Sequence, residues 1–155
     1  MTATAISTDE LRDLYRELIL DHARKPRHFG KLDNATHEAE GINPLCGDKL
    51  HLYLHLDGDE ICDAAFEGTG CAISVASASL LTETVIGMSP AEAARYFDGV
   101  TARLTGAEAP ADFDPGKLRA LEGVREFPSR VKCATLAWHA LRSAMEQRPG
   151  PAKTE

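Results

Sequence analysis

A chain of 155 residues, 43% hydrophobic and 26% charged, has the size and composition of one soluble globular domain. Its net charge of −7, with no basic stripe and interleaved aromatics, argues against nucleic acid as a partner, because phosphate binding needs concentrated positive charge. The opening MTATAISTDE has neither a basic start nor an apolar run, and no stretch approaches the roughly 20 apolar residues of a membrane span. A cytoplasmic protein with no membrane association is therefore expected, its four cysteines reduced rather than paired.

The first element predicted is a helix. Ser7 and Glu10 have the spacing of a capping box, and Leu11, Leu14, Tyr15, Leu18 and Ile19 recur at helical spacing. Pro26 sets its end near Arg24, and residues 25–31 form a basic loop. A weakly marked strand follows around residues 36–42. Leu50, Leu52, Leu54 and Leu56 then alternate with His51, Tyr53 and His55, which predicts a half-buried strand. Asp57-Gly58-Asp59 turns the chain into a returning strand over residues 61–66.

Gly68-Thr69-Gly70 breaks that strand, and residues 71–86 read as a helix of small and apolar residues stopped by Gly87. Ser89-Pro90-Ala91-Glu92 opens another helix with a capping box and a first-turn proline, ending near Gly99. Residues 105–116 form an exposed excursion, and Asp114-Pro115 opens a short helix through about Leu121. Pro128 begins the last helix, whose apolar face uses Val131, Thr135, Trp138, Leu141 and Met145. Residues 1–7 and 148–155 are expected to be flexible ends of a single domain. The order of elements predicts an α+β fold, a small antiparallel β-sheet with α-helices packed on one face.

Three of the cysteines sit where a thiolate is favoured. Cys46 and Asp48 flank Gly47, whose freedom to turn lets a thiolate and a carboxylate point to one side. Cys71 follows Gly68-Thr69-Gly70 at a helix N-terminus, where unpaired N–H groups stabilise an anion. Cys133 lies early in the last helix, with the cations Arg130 and Lys132 beside it. Zinc suits three sulfurs and one oxygen, whereas magnesium and calcium do not. A cysteine is equally a small buried core residue, so the residues alone leave both readings open. Cys62, mid-strand with no cation or helix end nearby, reads as structural. His51 and His55 are four residues apart on one strand, roughly 13 Å, too far to share an ion.

At these residues the sequence resembles the IscU/NifU-like proteins of iron–sulfur cluster assembly, over about residues 9–146. The resemblance is carried by Leu14-Tyr15, Asp21-His22, Lys25-Pro26-Arg27, Asn43-Pro44-Leu45-Cys46-Gly47-Asp48, Gly68-Thr69-Gly70-Cys71-Ala72-Ile73-Ser74 and Arg130-Val131-Lys132-Cys133-Ala134. Lys132 stands where the scaffold branch has a histidine, and an ammonium has no lone pair for a metal. The interval from Cys71 to Cys133 is about twenty residues longer than in scaffolds, with residues 89–127 as the extension. Both features resemble the SufU branch. The resemblance implies an IscU-like fold and a zinc ion held by Cys46, Asp48, Cys71 and Cys133. It implies that Cys46 accepts persulfide sulfur from a SufS-type cysteine desulfurase and passes it toward a downstream assembly scaffold. Arg130 is a candidate for a contacting or loop-steering role beside the acceptor. The alternative implied function is a scaffold on which a [2Fe–2S] cluster is built.

Overall fold

Residues 8–107, 113–147 and 150–153 are described by the computed structural model of the chain. The first helix, α1 (Thr8–Arg24), runs as the periodicity requires, although Ser7, its predicted cap, lies outside the described residues. Its apolar stripe is narrower than predicted. Ile19 is buried and Tyr15 and Leu18 are half-buried against the core, but Leu14 is 56% exposed.

The sheet forms from β1 (His37–Asn43), β2 (Asp48–Asp57) and β3 (Glu60–Thr69), paired antiparallel. The alternation of β2 does what it predicts, sinking Leu50, Leu52 and Leu54 into the core, at roughly 1.5–3 kcal/mol each. On the opposite face His51 stacks on Tyr53 at 4.5 Å, and the Tyr53 hydroxyl donates to Glu67. The predicted break at Gly68 is instead a position inside β3. Its φ of 147° lets it pass Lys49, whose carbonyl oxygen would lie 2.1 Å from any Cβ there. Cys62, expected to be structural, is exposed near the hairpin end of β3.

Helices α2 (Ala72–Val85), α3 (Pro90–Thr105) and α4 (Pro128–Glu146) complete the layer, with α4 across β1 and β2 and α2 on β3. The close approach is visible at Gly41, where a Cβ would meet Leu136 at 3.2 Å. Because α4 is enclosed by the sheet, α2 and α3, it buries residues well outside its predicted face, including Cys133, Leu136, Ala137 and Ala140. Two buried serines on α2 are satisfied, Ser77 by donating to the Ala134 carbonyl at 2.5 Å and Ser79 by contacts to α1 and the loop after it. Ser79 Oγ lies 2.7 Å from His22 Nδ1 and accepts the Arg27 N–H at 2.8 Å, tying α1 to the core.

Three boundaries differ from the sequence expectation. The Ser89–Glu92 capping box is present, but α3 passes through Gly99 and ends at Gly106, which takes the left-handed conformation. Gly99 does not stop the helix because its bare Cα makes room for the Phe113 ring, 2.7 Å from where a Cβ would stand. The short helix after Pro115 is a 3₁₀ segment, Gly116–Glu126, five residues longer than expected. Finally, within the expected flexible end, Ala152–Lys153 (β4) pair parallel to β1 through Gly41 and Ile42, giving the strand order β3-β2-β1-β4. No helix among the described residues is long and apolar enough to cross a membrane.

Candidate metal centre

The centre is assembled at one end of the sheet. Asn43, the last residue of β1, lies opposite Asp48, the first of β2, so Pro44-Leu45-Cys46-Gly47 forms the tip of a hairpin. The Gly47 N–H donates to the Asn43 carbonyl at 2.9 Å, and Gly47 adopts a φ of 71°, which an L side chain disfavours. The reversal carries Cys46 outward while Asp48 turns in. Cys46 is exposed, Leu45 beside it is 71% exposed, and Asp48 is 1% exposed.

Cys71 caps α2. Its backbone is extended, and its sulfur accepts the Ser74 N–H at 3.5 Å. The Cys71 N–H in turn donates to Asp48 Oδ1 at 2.9 Å, which fastens the start of α2 to the start of β2. Gly70 has to be small here, because a Cβ would stand 2.9 Å from that carboxylate oxygen and 3.2 Å from Ser74.

Cys133 arrives from the first turns of α4 and is fully buried. One ligand atom each from Cys46, Asp48 and Cys133 lie within 4.8 Å of one another. Cys71 stands outside that group of three but adjoins it, close enough to Cys133 to raise the pKa of its thiol. Arg130, exposed at the mouth, is held charged by the Cys71 sulfur first and then by Cys133. The expectation that neighbouring cations favour the Cys133 thiolate does not hold for the protein groups alone. Burial pushes this thiol up, and hydrogen bonds to Asp48, Cys46 and Cys71 add to the effect.

The donor set fits a soft dication. Zinc with Zn–S of about 2.3 Å places tetrahedral sulfurs roughly 3.8 Å apart, inside the 4.8 Å within which Cys46, Asp48 and Cys133 meet. Among the described residues no basic side chain forms an ion pair with Asp48, and an uncompensated buried carboxylate costs several kcal/mol. Two further polar atoms at the site, Asn43 Oδ1 and Ser74 Oγ, are buried without a hydrogen-bond partner. Buried anions and orphaned polar atoms around sulfur are what a bound cation compensates.

Asn43 received no role from its sequence. Its amide donates to Asp48 Oδ2 at 3.4 Å and to Cys133 Sγ at 3.6 Å, so it bridges two of the three converging residues. The signal available was positional: Asn43 closes β1 directly opposite Asp48. None of the six histidines joins the group; His22 is buried against Ser79, and His51 faces Glu38 at 3.1 Å.

The profile of the family described as "NifU-like N terminal domain" matches residues 14–154. The chain is 42% identical over 143 residues to the iron–sulfur cluster assembly scaffold protein IscU of Streptococcus pyogenes serotype M1, covering 92% of this chain and 89% of that protein. It is 41% identical over 140 residues to the zinc-dependent sulfurtransferase SufU of Bacillus subtilis strain 168, covering 90% and 95%. Among solved structures, a putative iron–sulfur cluster assembly scaffold protein for the SUF system from Fervidobacterium islandicum AW-1 superposes with a TM-score of 0.78 at 36% identity. That superposition covers 83% of this chain and 94% of that one.

Proposed function

Because this chain belongs to the NifU-like N-terminal domain family, we propose that it serves iron–sulfur cluster assembly as a zinc-dependent sulfur acceptor, charged by a pyridoxal-phosphate cysteine desulfurase. The observation that carries the reading is the meeting of Cys46, Asp48 and Cys133 within 4.8 Å, with Asp48 and Cys133 buried and, among the described residues, no cationic side chain paired to the carboxylate. Cys46, Asp48, Cys71 and Cys133 would hold the ion, Cys71 moving in from its cap position beside Cys133. Bound zinc supplies ionised but non-redox thiolates. Lys132, where scaffolds of this family carry histidine, supports transfer over cluster building. Residues 89–127, which include α3 and the 3₁₀ segment, are read as the extension of the SufU branch.

Cys46 is the acceptor in this account because it alone of the three rides an exposed turn; Cys71 caps α2 and Cys133 is buried within α4. Its thiolate attacks the outer sulfur of the donor's cysteine persulfide. A bond forms between Cys46 Sγ and that sulfur, the donor's S–S bond breaks, and the donor cysteine departs as a thiolate. The transferred sulfur keeps its proton, so no oxidant or reductant is consumed. Arg130, beside Cys71 and Cys133, would offset the negative charge gathered during the exchange.

A second reading, a scaffold for a [2Fe–2S] cluster, is favoured by the likeness to the cluster assembly scaffold protein IscU of Streptococcus pyogenes. Metal content of the protein purified without added iron separates the two. Tight stoichiometric zinc supports transfer, whereas a chromophoric cluster that moves to an apo-protein contradicts it.

A further inference from the structure

The pocket lined by Cys71 and Arg130 opens into a larger trough, about 720 Å³, between α1, the start of α2 and the 3₁₀ segment. The two share Ile73, Gly123, Val124 and Phe127, so one continuous channel leads from the candidate centre to α1. Its floor is apolar, with Tyr15, Ile73, Val124 and Phe127, the last 56% exposed. Its rim is cationic: Arg12, Arg16, Arg103, Arg119 and Arg125 stand against only Glu122 and Glu126. Arg103 is taken up by both oxygens of Glu122 at 3.1 Å, and Arg16 leans on Asp13 at 4.0 Å. Arg12, Arg119 and Arg125 have no ion pair among the described residues.

This local charge is the reverse of the molecule's, which carries a net −7. Solubility does not require such a concentration of guanidinium on an acidic protein. Arginine ringing an exposed aromatic is the composition of a protein-binding patch, where an apolar anchor fills the centre and the charged rim selects the partner. Unpaired arginines select carboxylates, which they bind bidentately.

We propose that this trough docks the persulfide donor, which lays into it an acidic segment whose apolar side chain covers Phe127. The inference rests on the sulfur-acceptor reading and gives it a second contact surface, whose lining does not include the exposed Cys46 turn. Rim charges govern encounter and orientation rather than the sulfur exchange itself.

The test uses the full-length, zinc-loaded chain against an immobilised cysteine desulfurase. The double variant Arg12→Glu/Arg119→Glu and the single variant Phe127→Ser are compared with wild type and with Arg24→Glu/Lys25→Glu in the basic loop after α1. The trough variants are expected to bind roughly tenfold more weakly, raising KM for the carrier at unchanged kcat, with zinc content and unfolding midpoint as in wild type. The loop variant is expected to keep its affinity. Unchanged affinity in the trough variants, or an equal loss in the loop variant, overturns the inference. So does a wild-type dimer that the trough variants dissolve while desulfurase affinity stays put, since the occupant is then a second copy. A wild type that binds but takes up no sulfur removes the acceptor reading and leaves docking to be decided by affinity; one that does not bind removes both.

Discussion

The carboxylate of Asp48 accepts the backbone N–H of Cys71 at 2.9 Å, so the residue that opens β2 holds the cap of α2 in place. One side chain thereby serves two ends: an oxygen toward Cys46 and Cys133, and a brace between a hairpin and a helix. The two roles separate by substitution. Asp48→Asn keeps an oxygen for the Cys71 N–H and loses the charge, whereas Asp48→Ala loses both. Both variants should lose stoichiometric zinc by elemental analysis. Urea unfolding of the metal-free proteins should show Asp48→Ala weaker than Asp48→Asn by about 1–3 kcal/mol, the penalty of a stranded buried donor.

Removing the metal tests the same centre from the other side. Anything bound to the native state alone stabilises it, by about 2.7 kcal/mol at a hundredfold excess over Kd. Chelation of the zinc-loaded wild type is therefore expected to lower its thermal midpoint by roughly 5–10 °C. Asp48→Asn should show no such drop.

At Gly68, on the way to Cys71, the Lys49–Leu50 backbone of β2 rather than a side chain fills the space where a Cβ would stand. Gly68→Ala combines an unfavourable φ of 147° with a Cβ aimed at the Lys49 carbonyl. A loss of at least about 2 kcal/mol is expected in urea unfolding of the metal-free protein. Gly58→Ala, at a turn with open space around the missing Cβ, should lose less.

His22 makes stability depend on pH. Burial first, and then Arg27 and Lys117, lower its pKa, against the opposing pull of Glu83 and Asp21. The unfolded chain therefore binds more protons in the window just below about pH 6.5, and stability is lost as pH falls through it. His139 shifts in the same direction, so His22→Gln should flatten the slope only in part. Asp21, lowered by Arg27, acts below its ordinary value of 3.8 and leaves this window undisturbed. Urea unfolding between pH 5 and 8 reads the difference.

Local chemistry made much of this legible from the sequence. The Ser89 capping box, the Leu50-Leu52-Leu54 alternation and the Gly47 turn each depend on neighbours a few residues away, and each appears as expected. Gly99 reads as a helix end in the sequence because its partner, Phe113, is distant along the chain and supplies the reason for the missing Cβ. A two-residue strand such as β4 carries no periodicity to detect. In the site, the Cys46–Asp48 pairing followed from the turn, whereas the setting of Cys133 depended on how deeply α4 is enclosed. Local cations point to a thiolate, whereas burial pushes this thiol up. Asn43 was invisible as a bridge because its two partners come from different ends of the chain.

Native mass spectrometry, before and after incubation with a cysteine desulfurase and cysteine, tests the central claim most directly, since it reads bound metal and added sulfur together. The wild type is expected to carry one zinc and to gain sulfur on Cys46. Cys62→Ser should behave identically despite the exposure of that thiol, while Cys46→Ser gains none. Full sulfur loading of Cys46→Ser, or a zinc-free wild type, would contradict the account.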